Sequence, residues 1–223
     1  MKKLPFIILI LSSIFYKSQT NRFFYELKSR VDSTQEYRNN IMVLDVNPNS
    51  IKFYDKDLLD SDSINVNSMI GTSSKTNTST DQLIVRKPNS FKNTQYRDFF
   101  DYFVIQSNDE MEWKLFKDTQ DYDGYTLQKA TSNFGGRNWT AWFSNEIAIS
   151  EGPYKFRGLP GLIFLLTDST HDFVYKLIKN KKLDKTYDTT NFLERHYGVE
   201  PIKISDVKFN KYLIDVYKNP MRD

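Results

Sequence analysis

The chain contains no cysteine. Disulfides, thiolate nucleophiles, cysteine metal sites and lipid attachment through an N-terminal cysteine are therefore excluded. Histidine is nearly absent as well: His171 and His196 are the only two, and their separation is not a metal-ligand spacing. No serine sits in a Gly-x-Ser-x-Gly elbow, and no glycine-rich phosphate loop with its lysine occurs. No apolar run reaches the roughly 18 residues that a membrane-spanning helix needs. Dense positive charge is confined to Lys179-Asn180-Lys181-Lys182, a run typical of a solvated turn, so no nucleic-acid footprint is expected. No metal or cofactor signature is found, and none is expected. Without disulfides or metals, stability has to come from packing.

Met1-Lys2-Lys3 is a short basic start, Leu4 to Phe15 is almost wholly apolar, and Tyr16 to Gln19 turns polar. Basic, apolar and cleavage regions in that order describe a secretory signal peptide over residues 1–19. An uncleaved anchor or a buried first helix is the alternative. Loss of Lys2, Lys3 and Lys17 with the leader lowers Lys+Arg from 31 to 28, against 28 Asp+Glu. The formal charge of +3 thus belongs to the leader, and residues 20–223 are neutral. Their number fits one domain without a further membrane anchor.

Aromatics at 15% suit a β-rich core. Residues 21–28 alternate as a strand. Residues 41–46 and 51–54 flank Asn47-Pro48-Asn49-Ser50 as a hairpin. Residues 56–81 are too polar to form a core and read as a flexible insertion, with a short helix near Leu58-Leu59. Strands resume at 82–86, 96–98 and 99–106. An alternation through Met111, Trp113 and Leu115 leads to the Asp123-Gly124 hairpin turn. Strands at 125–131 and 137–144 are separated by a turn over 133–136. The continuously apolar Leu162 to Leu166 predicts a strand buried on both faces, and 173–178 follows. Ser205 is placed to cap a last helix whose apolar face is Val207, Tyr212, Leu213 and Val216. The expectation is a mainly β (β-rich α+β) single domain: a curved antiparallel meander, barrel-like or half-open, with one or two short helices.

Within Gly158-Leu159-Pro160-Gly161-Leu162-Ile163, the central Pro-Gly pair predicts a type II turn launching the buried strand. On 137–144, period-two alternation puts Arg137, Trp139, Ala141 and Phe143 on one face. Asn138, Thr140, Trp142 and Ser144 take the other. Two tryptophans on opposite faces mean apolar cover on both sides, or a groove lined by one of them. In the groove reading Arg137 or Lys129 holds an anionic head group, and Tyr154 and Arg157 flank it. The candidate ligand-binding set is therefore Lys129, Arg137, Trp139, Trp142, Tyr154 and Arg157. A hydrolase built on Glu146, Arg137 and Asp168 is the catalytic alternative, with a structural component of a surface assembly as a third. No catalytic residue is assigned.

Several ordered motifs resemble the GLPGLI family of exported bacterial proteins, whose function is unknown. They are Gly124-Tyr125, Gln128-Lys129-Ala130-Thr131, Gly136-Arg137, Trp139-Thr140-Ala141-Trp142, Glu146-Ile147, Gly152-Pro153-Tyr154-Lys155-Phe156 and the hexapeptide from Gly158 to Ile163. Members of that family often carry Cys where this chain has Leu127 and Tyr where it has Phe143. The resemblance implies an exported, envelope-associated protein of Gram-negative bacteria, periplasmic, outer-membrane associated or secreted. It transfers no catalytic residue. The expected partners are an apolar ligand, a peptide or an outer-membrane protein.

Overall fold

Alternating apolar residues dictate most of the architecture. Strand β1 (Thr20–Ser29) points Phe23, Tyr25 and Leu27 one way and Phe24 the other. It pairs antiparallel with β2 (Arg38–Val46), which pairs with β3 (Ile51–Asp55) across the expected Asn47 turn. In that turn Asn47 Oδ1 accepts from the N–H groups of Asn49 and Ser50, both at 2.8 Å. A computed structural model of the chain describes residues 19–31, 33–67, 80, 82–184, 187–195, 198 and 200–219. The expected signal peptide lies outside the described residues, except for Gln19.

Helix α1 (Lys56–Asn67) follows β3, and buried Leu58 and Leu59 anchor it. The helix expected near those leucines is present; most of the remaining polar stretch lies outside the described residues. Then come β4 (Leu83–Arg86), β5 (Lys92–Phe99), β6 (Asp101–Asn108), β7 (Lys114–Tyr122), β8 (Tyr125–Phe134), β9 (Arg137–Ser144), β10 (Leu162–Asp168) and β11 (Phe173–Leu183). A single turn of π-helix (Thr190–Glu194), β12 (Ile202–Ile204) and α2 (Asp206–Lys218) complete the order.

The strands form one 12-stranded sheet in the order β12-β6-β5-β4-β3-β2-β1-β11-β10-β9-β8-β7. Two meanders, β1 to β6 and β7 to β11, run outward from the β1–β11 seam. That seam is the longest ladder, ten paired positions with a bulge between Phe24 and Tyr25. The sheet is mainly antiparallel; only β12 lies parallel to its neighbour, β6. It is curved and not closed: the fold is a half-open β meander. Its main core joins both meanders, with Phe23, Leu44 and Phe53 from the first packed in one cluster with Trp139, Phe143 and Leu166 from the second. A second cluster, on the convex side of the first meander, packs Phe24, Val43 and Tyr54 under α1 and the π-turn residues Phe192 and Leu193.

The Lys179-Asn180-Lys181-Lys182 run, expected as a turn, is the end of strand β11 paired with β1, and four further local expectations need correction. Met111 and Trp113 precede β7 rather than belonging to it. They turn into the core, and the Trp113 indole N–H donates to the Arg157 carbonyl at 2.9 Å. Strand β8 runs through Asn133 and Phe134, and the turn is the tighter Gly135-Gly136 pair, both at positive φ. Helix α2 is capped by Ser205 as expected, yet Val207 is 79% exposed and Phe209 is the buried residue.

The fourth correction concerns Gly158 to Ile163. Gly161 is not at positive φ, so the Pro160-Gly161 pair is not the centre of a type II turn; Gly158 takes the positive φ, at 95°. The constraint on Gly161 is contact. A Cβ there would lie 2.0 Å from the carbonyl oxygen of Ser144, the last residue of β9. A backbone oxygen on a paired strand cannot yield that space. Leu159, Leu162 and Ile163 are buried beside this contact. Gly161→Ala is therefore expected to cost about 1–3 kcal/mol, as overpacking does. That is a melting-temperature drop of roughly 2–4 °C per kcal/mol. Pro160→Ala, at an exposed position, should cost under about 1 kcal/mol. Thermal melts of the two variants check this, and equal drops would contradict it.

Candidate functional site

The connection from β9 to β10 enters the concave side of the sheet as a folded strap. Glu151 and Arg157 form an isolated antiparallel bridge, and the Phe156 N–H donates to Pro153 O at 3.0 Å, closing a turn between them. Tyr154 in that turn has φ of 52°. This left-handed conformation is uncommon for a bulky side chain and costs of order 1–2 kcal/mol. Gly152 is required where it stands: its Cβ would meet Ile163 Cδ1 at 2.6 Å.

A buried ion triad holds the strap. Arg86 on β4 donates to Glu151 Oε2 from Nε at 3.0 Å and Nη2 at 2.7 Å. It also donates to the Tyr154 carbonyl at 2.6 Å. Arg157 Nε donates to the other oxygen of Glu151 at 3.1 Å. The Arg86 side chain has no exposed surface. Burial lowers its proton affinity, while the adjacent Glu151 carboxylate raises it.

Beside the strap is a cavity of about 700 Å³, within the size range of small-molecule sites. Trp139, Phe156 and Tyr175 supply an aromatic wall, with Trp139 and Phe156 ring centroids 4.5 Å apart. Gln82, Gln95 and Arg97 line the side belonging to the first meander. The strap contributes Tyr154 and Lys155. Burial, the largest influence, pushes the Tyr154 hydroxyl up to about 12, opposed by Arg97 and by a hydrogen bond with Gln95. That phenol stays protonated at neutral pH and can donate or accept.

Charges around the cavity are internally balanced. Arg137 Nη1 reaches both Asp168 and Asp172, the latter at 2.8 Å, and Arg30 Nε reaches Asp172 at 3.0 Å. Lys155 pairs with Asp109 at 3.2 Å. Five cationic residues line the cavity, Arg30, Arg38, Arg97, Arg137 and Lys155. Glu36, Asp109 and Asp206 line it too, and Asp168 and Asp172 stand directly behind the arginines. Arg137 is thus already neutralised and is not a free anchor for an anionic head group.

The six ligand-binding candidates separate into three places. Arg137, Trp139 and Tyr154 come together in the cavity. Lys129 and Trp142 are cross-strand partners on the opposite, outer face. Arg157 is spent in the buried triad, its guanidinium 4.8 Å from the Phe91 ring centre. The proposed hydrolase trio does not assemble. Asp168 pairs with Arg137, whereas Glu146 lies beyond the far end of β9 and accepts from the Thr126 N–H at 2.9 Å. At about 3.3 Å per residue, that strand alone separates them by more than roughly 20 Å, far beyond the reach of one reacting centre. Arg30, Gln82, Gln95 and Arg97 carry no signal in the sequence, because only the tertiary arrangement brings them to Trp139, and Lys155 is legible only as part of the Gly152 to Phe156 motif. Among the described residues no group of three His, Asp or Glu side chains suits a metal ion.

Residues 103–165, from β6 into β10, match the Porph_ging family of proteins of unknown function. The match includes β9, the strap and the Gly158 to Ile163 hexapeptide. No curated protein matches the sequence. Two solved structures of PNGF-II share the fold. The one in space group C2 superposes with a TM-score of 0.60 at 14% identity over 88% of this chain. The one in space group P21 gives 0.58 at 13% over 86%. The chain spans about a third of their length, 33% and 32% respectively.

Asp172 generates a pH prediction. Hydrogen bonds from Thr170, then Arg137 and Arg30, hold its carboxyl well below the usual carboxylate range. Its folded pKa is therefore below the unfolded value of about 3.9. Ionised Asp172 stabilises the fold fully above that value, and the contribution disappears as pH falls through the folded pKa. Asp172→Asn should melt below wild type by a constant interval from pH 7 to about pH 5, and the interval should close in stronger acid. Melting temperature against pH measures this; an interval unchanged down to about pH 2.5 would contradict it.

Proposed function

We propose that the protein is an exported, envelope-associated binding protein, and that the cavity beside the Glu151–Arg157 strap is its binding site. The observation that carries this reading is the cavity itself: about 700 Å³, walled by aromatic rings on one side and by amide, guanidinium and phenol groups on the other. Balanced charge disfavours a simple anion. A ligand with an apolar portion and both hydrogen-bond donors and acceptors suits a wall on which amide, guanidinium and phenol groups stand beside aromatic rings. A short peptide with an apolar side chain meets those terms. Gln82 and Gln95 offer amides to its backbone, and Trp139 offers a ring face to its side chain. Export itself rests on the leader-like N-terminus and on the family resemblance. Non-catalytic binding is preferred because Glu146 and Asp168, the carboxylates of the hydrolase reading, stand at opposite ends of β9. The strained Tyr154 strengthens the choice of site, because backbone strain concentrates where function requires it.

Tryptophan emission during titration with a pool of short peptides of mixed sequence tests the site. Trp139→Phe keeps an aromatic packing partner for Phe156 and should weaken binding about tenfold, near 1.4 kcal/mol. Gln95→Leu should weaken it comparably, and Trp142→Phe should leave it unchanged. Loss of binding in Trp142→Phe, with retention in the other two, would place the site elsewhere.

A further inference from the structure

The outer face of the second meander is a separate surface with its own chemistry. Reading the register across it, Lys129 on β8 stands opposite Trp142 on β9, Trp142 opposite Leu165 on β10, and Leu165 opposite Lys176 on β11. The adjacent row is Thr131, Thr140 and Thr167, with Lys114 of β7 at its end. Trp142 and Leu165 are half-buried and Lys176 is exposed. Among the described residues α1 packs mainly on β2 and β3, and α2 on β6.

On β8, β9 and β10 the charge of this face is one-sided, while Glu26 and Asp123 stand near the Tyr122 ring at its margin. The outward positions of β8, β9 and β10 carry no carboxylate. Glu26 of β1 stands opposite Lys176 at the inner margin. No carboxylate of the described residues forms an ion pair with Lys114, Lys129 or Lys176. Instead their ammonium groups lie over aromatic rings: Lys114 and Lys129 at 5.2 and 5.5 Å from the Phe116 centre, and Lys176 at 5.7 Å from that of Tyr122. Each ammonium thus rests beside an aromatic ring of its own surface and not on a carboxylate.

We propose that this face docks on an anionic lipid surface. Phosphate head groups meet Lys114, Lys129 and Lys176, the threonine row donates hydroxyl hydrogen bonds, and the Trp142 indole sits at head-group depth with Leu165. Tryptophan favours that level because its ring is apolar and its N–H is polar. Unpaired lysines supply the attraction, which acts within about a Debye length of the surface. A second copy of the chain is a poor occupant, because an isologous contact would set the same lysine rows against each other. The inference is independent of the cavity, which opens on the other face of the sheet.

The test uses the chain from residue 20 onward and large vesicles, either of phosphatidylcholine alone or with about a third phosphatidylglycerol. Co-sedimentation should show binding to the anionic vesicles only, weakening as salt rises. The double variant Lys129→Gln/Lys176→Gln should lower partitioning at least about tenfold. The charge-matched control Lys208→Gln/Lys211→Gln on α2 should bind like wild type. The blue shift of tryptophan emission on binding should vanish in Trp142→Phe and persist in Trp139→Phe. Equal binding to both vesicle types, or equal losses in the two double variants, would overturn the proposal. So would Lys129- and Lys176-dependent binding to a single-stranded oligonucleotide without binding to vesicles. Peptide titration of Lys129→Gln/Lys176→Gln stays at wild-type affinity if the cavity reading is right, so the two readings fail separately.

Discussion

The contact of Arg86 with Glu151 is where the two halves of this protein become one object. Arg86 belongs to β4 in the first meander, and Glu151 to the strap that leads into β10 of the second. The β1–β11 ladder joins the meanders at their seam, but a seam alone leaves the angle between them free. The buried pair fixes the strap across the concave side, and Arg157 completes the neutralisation of Glu151. Such a pair contributes less through attraction than through the penalty for breaking it, because a partner left alone is an unpaired charge without water. Nearby geometry follows. Arg86 holds the Tyr154 carbonyl, the strap turn holds Tyr154 at positive φ, and Ile163 donates its N–H to the Glu151 carbonyl at 3.1 Å. The Tyr25 hydroxyl then reaches the Ile163 carbonyl at 2.7 Å, carrying the linkage back to β1.

This arrangement explains why the chain has two chemically distinct faces. Curvature around the strap leaves a cavity whose charges cancel through Arg137, Asp168, Asp172, Arg30, Lys155 and Asp109. The outer surface of the same strands has no such cancellation. Strand β9 serves both: Trp139 turns to the cavity and Trp142 to the lysine rows. The alternation that makes a strand is enough to give one eight-residue segment two chemically distinct faces.

Local patterns in the sequence are legible where a single element determines them. The bounds of β9, the Asp123-Gly124 turn, the Ser205 cap and the burial of Leu162, Ile163, Phe164 and Leu166 are legible from neighbours within a few positions, whereas Leu165 is only half-buried. Ile202 to Ile204 gave no strand signal because three residues after a proline carry no period, and their pairing to β6 is supplied by a distant strand. Gly161 shows a different limit. The Pro-Gly pattern has a familiar turn geometry, but a carbonyl 17 positions earlier is what demands glycine. The site was half visible: Arg137, Trp139 and Tyr154 stood out, because aromatic and cationic residues crowd one stretch. Their neighbours Gln95 and Arg97, and the partner that saturates Arg137, are set by sheet order. The triad was invisible for the same reason, since 65 positions separate Arg86 from Glu151.

A double-mutant cycle on Arg86→Met and Glu151→Leu, read by denaturant unfolding, tests the organising role of that pair most directly. Each single variant strands a buried charge and should lose about 3–5 kcal/mol. The double variant should lose less than the sum of the two, by more than about 1 kcal/mol, as coupled residues do. Additive losses, or single-variant losses below about 1 kcal/mol, would contradict the claim that Arg86 and Glu151 hold the two meanders together.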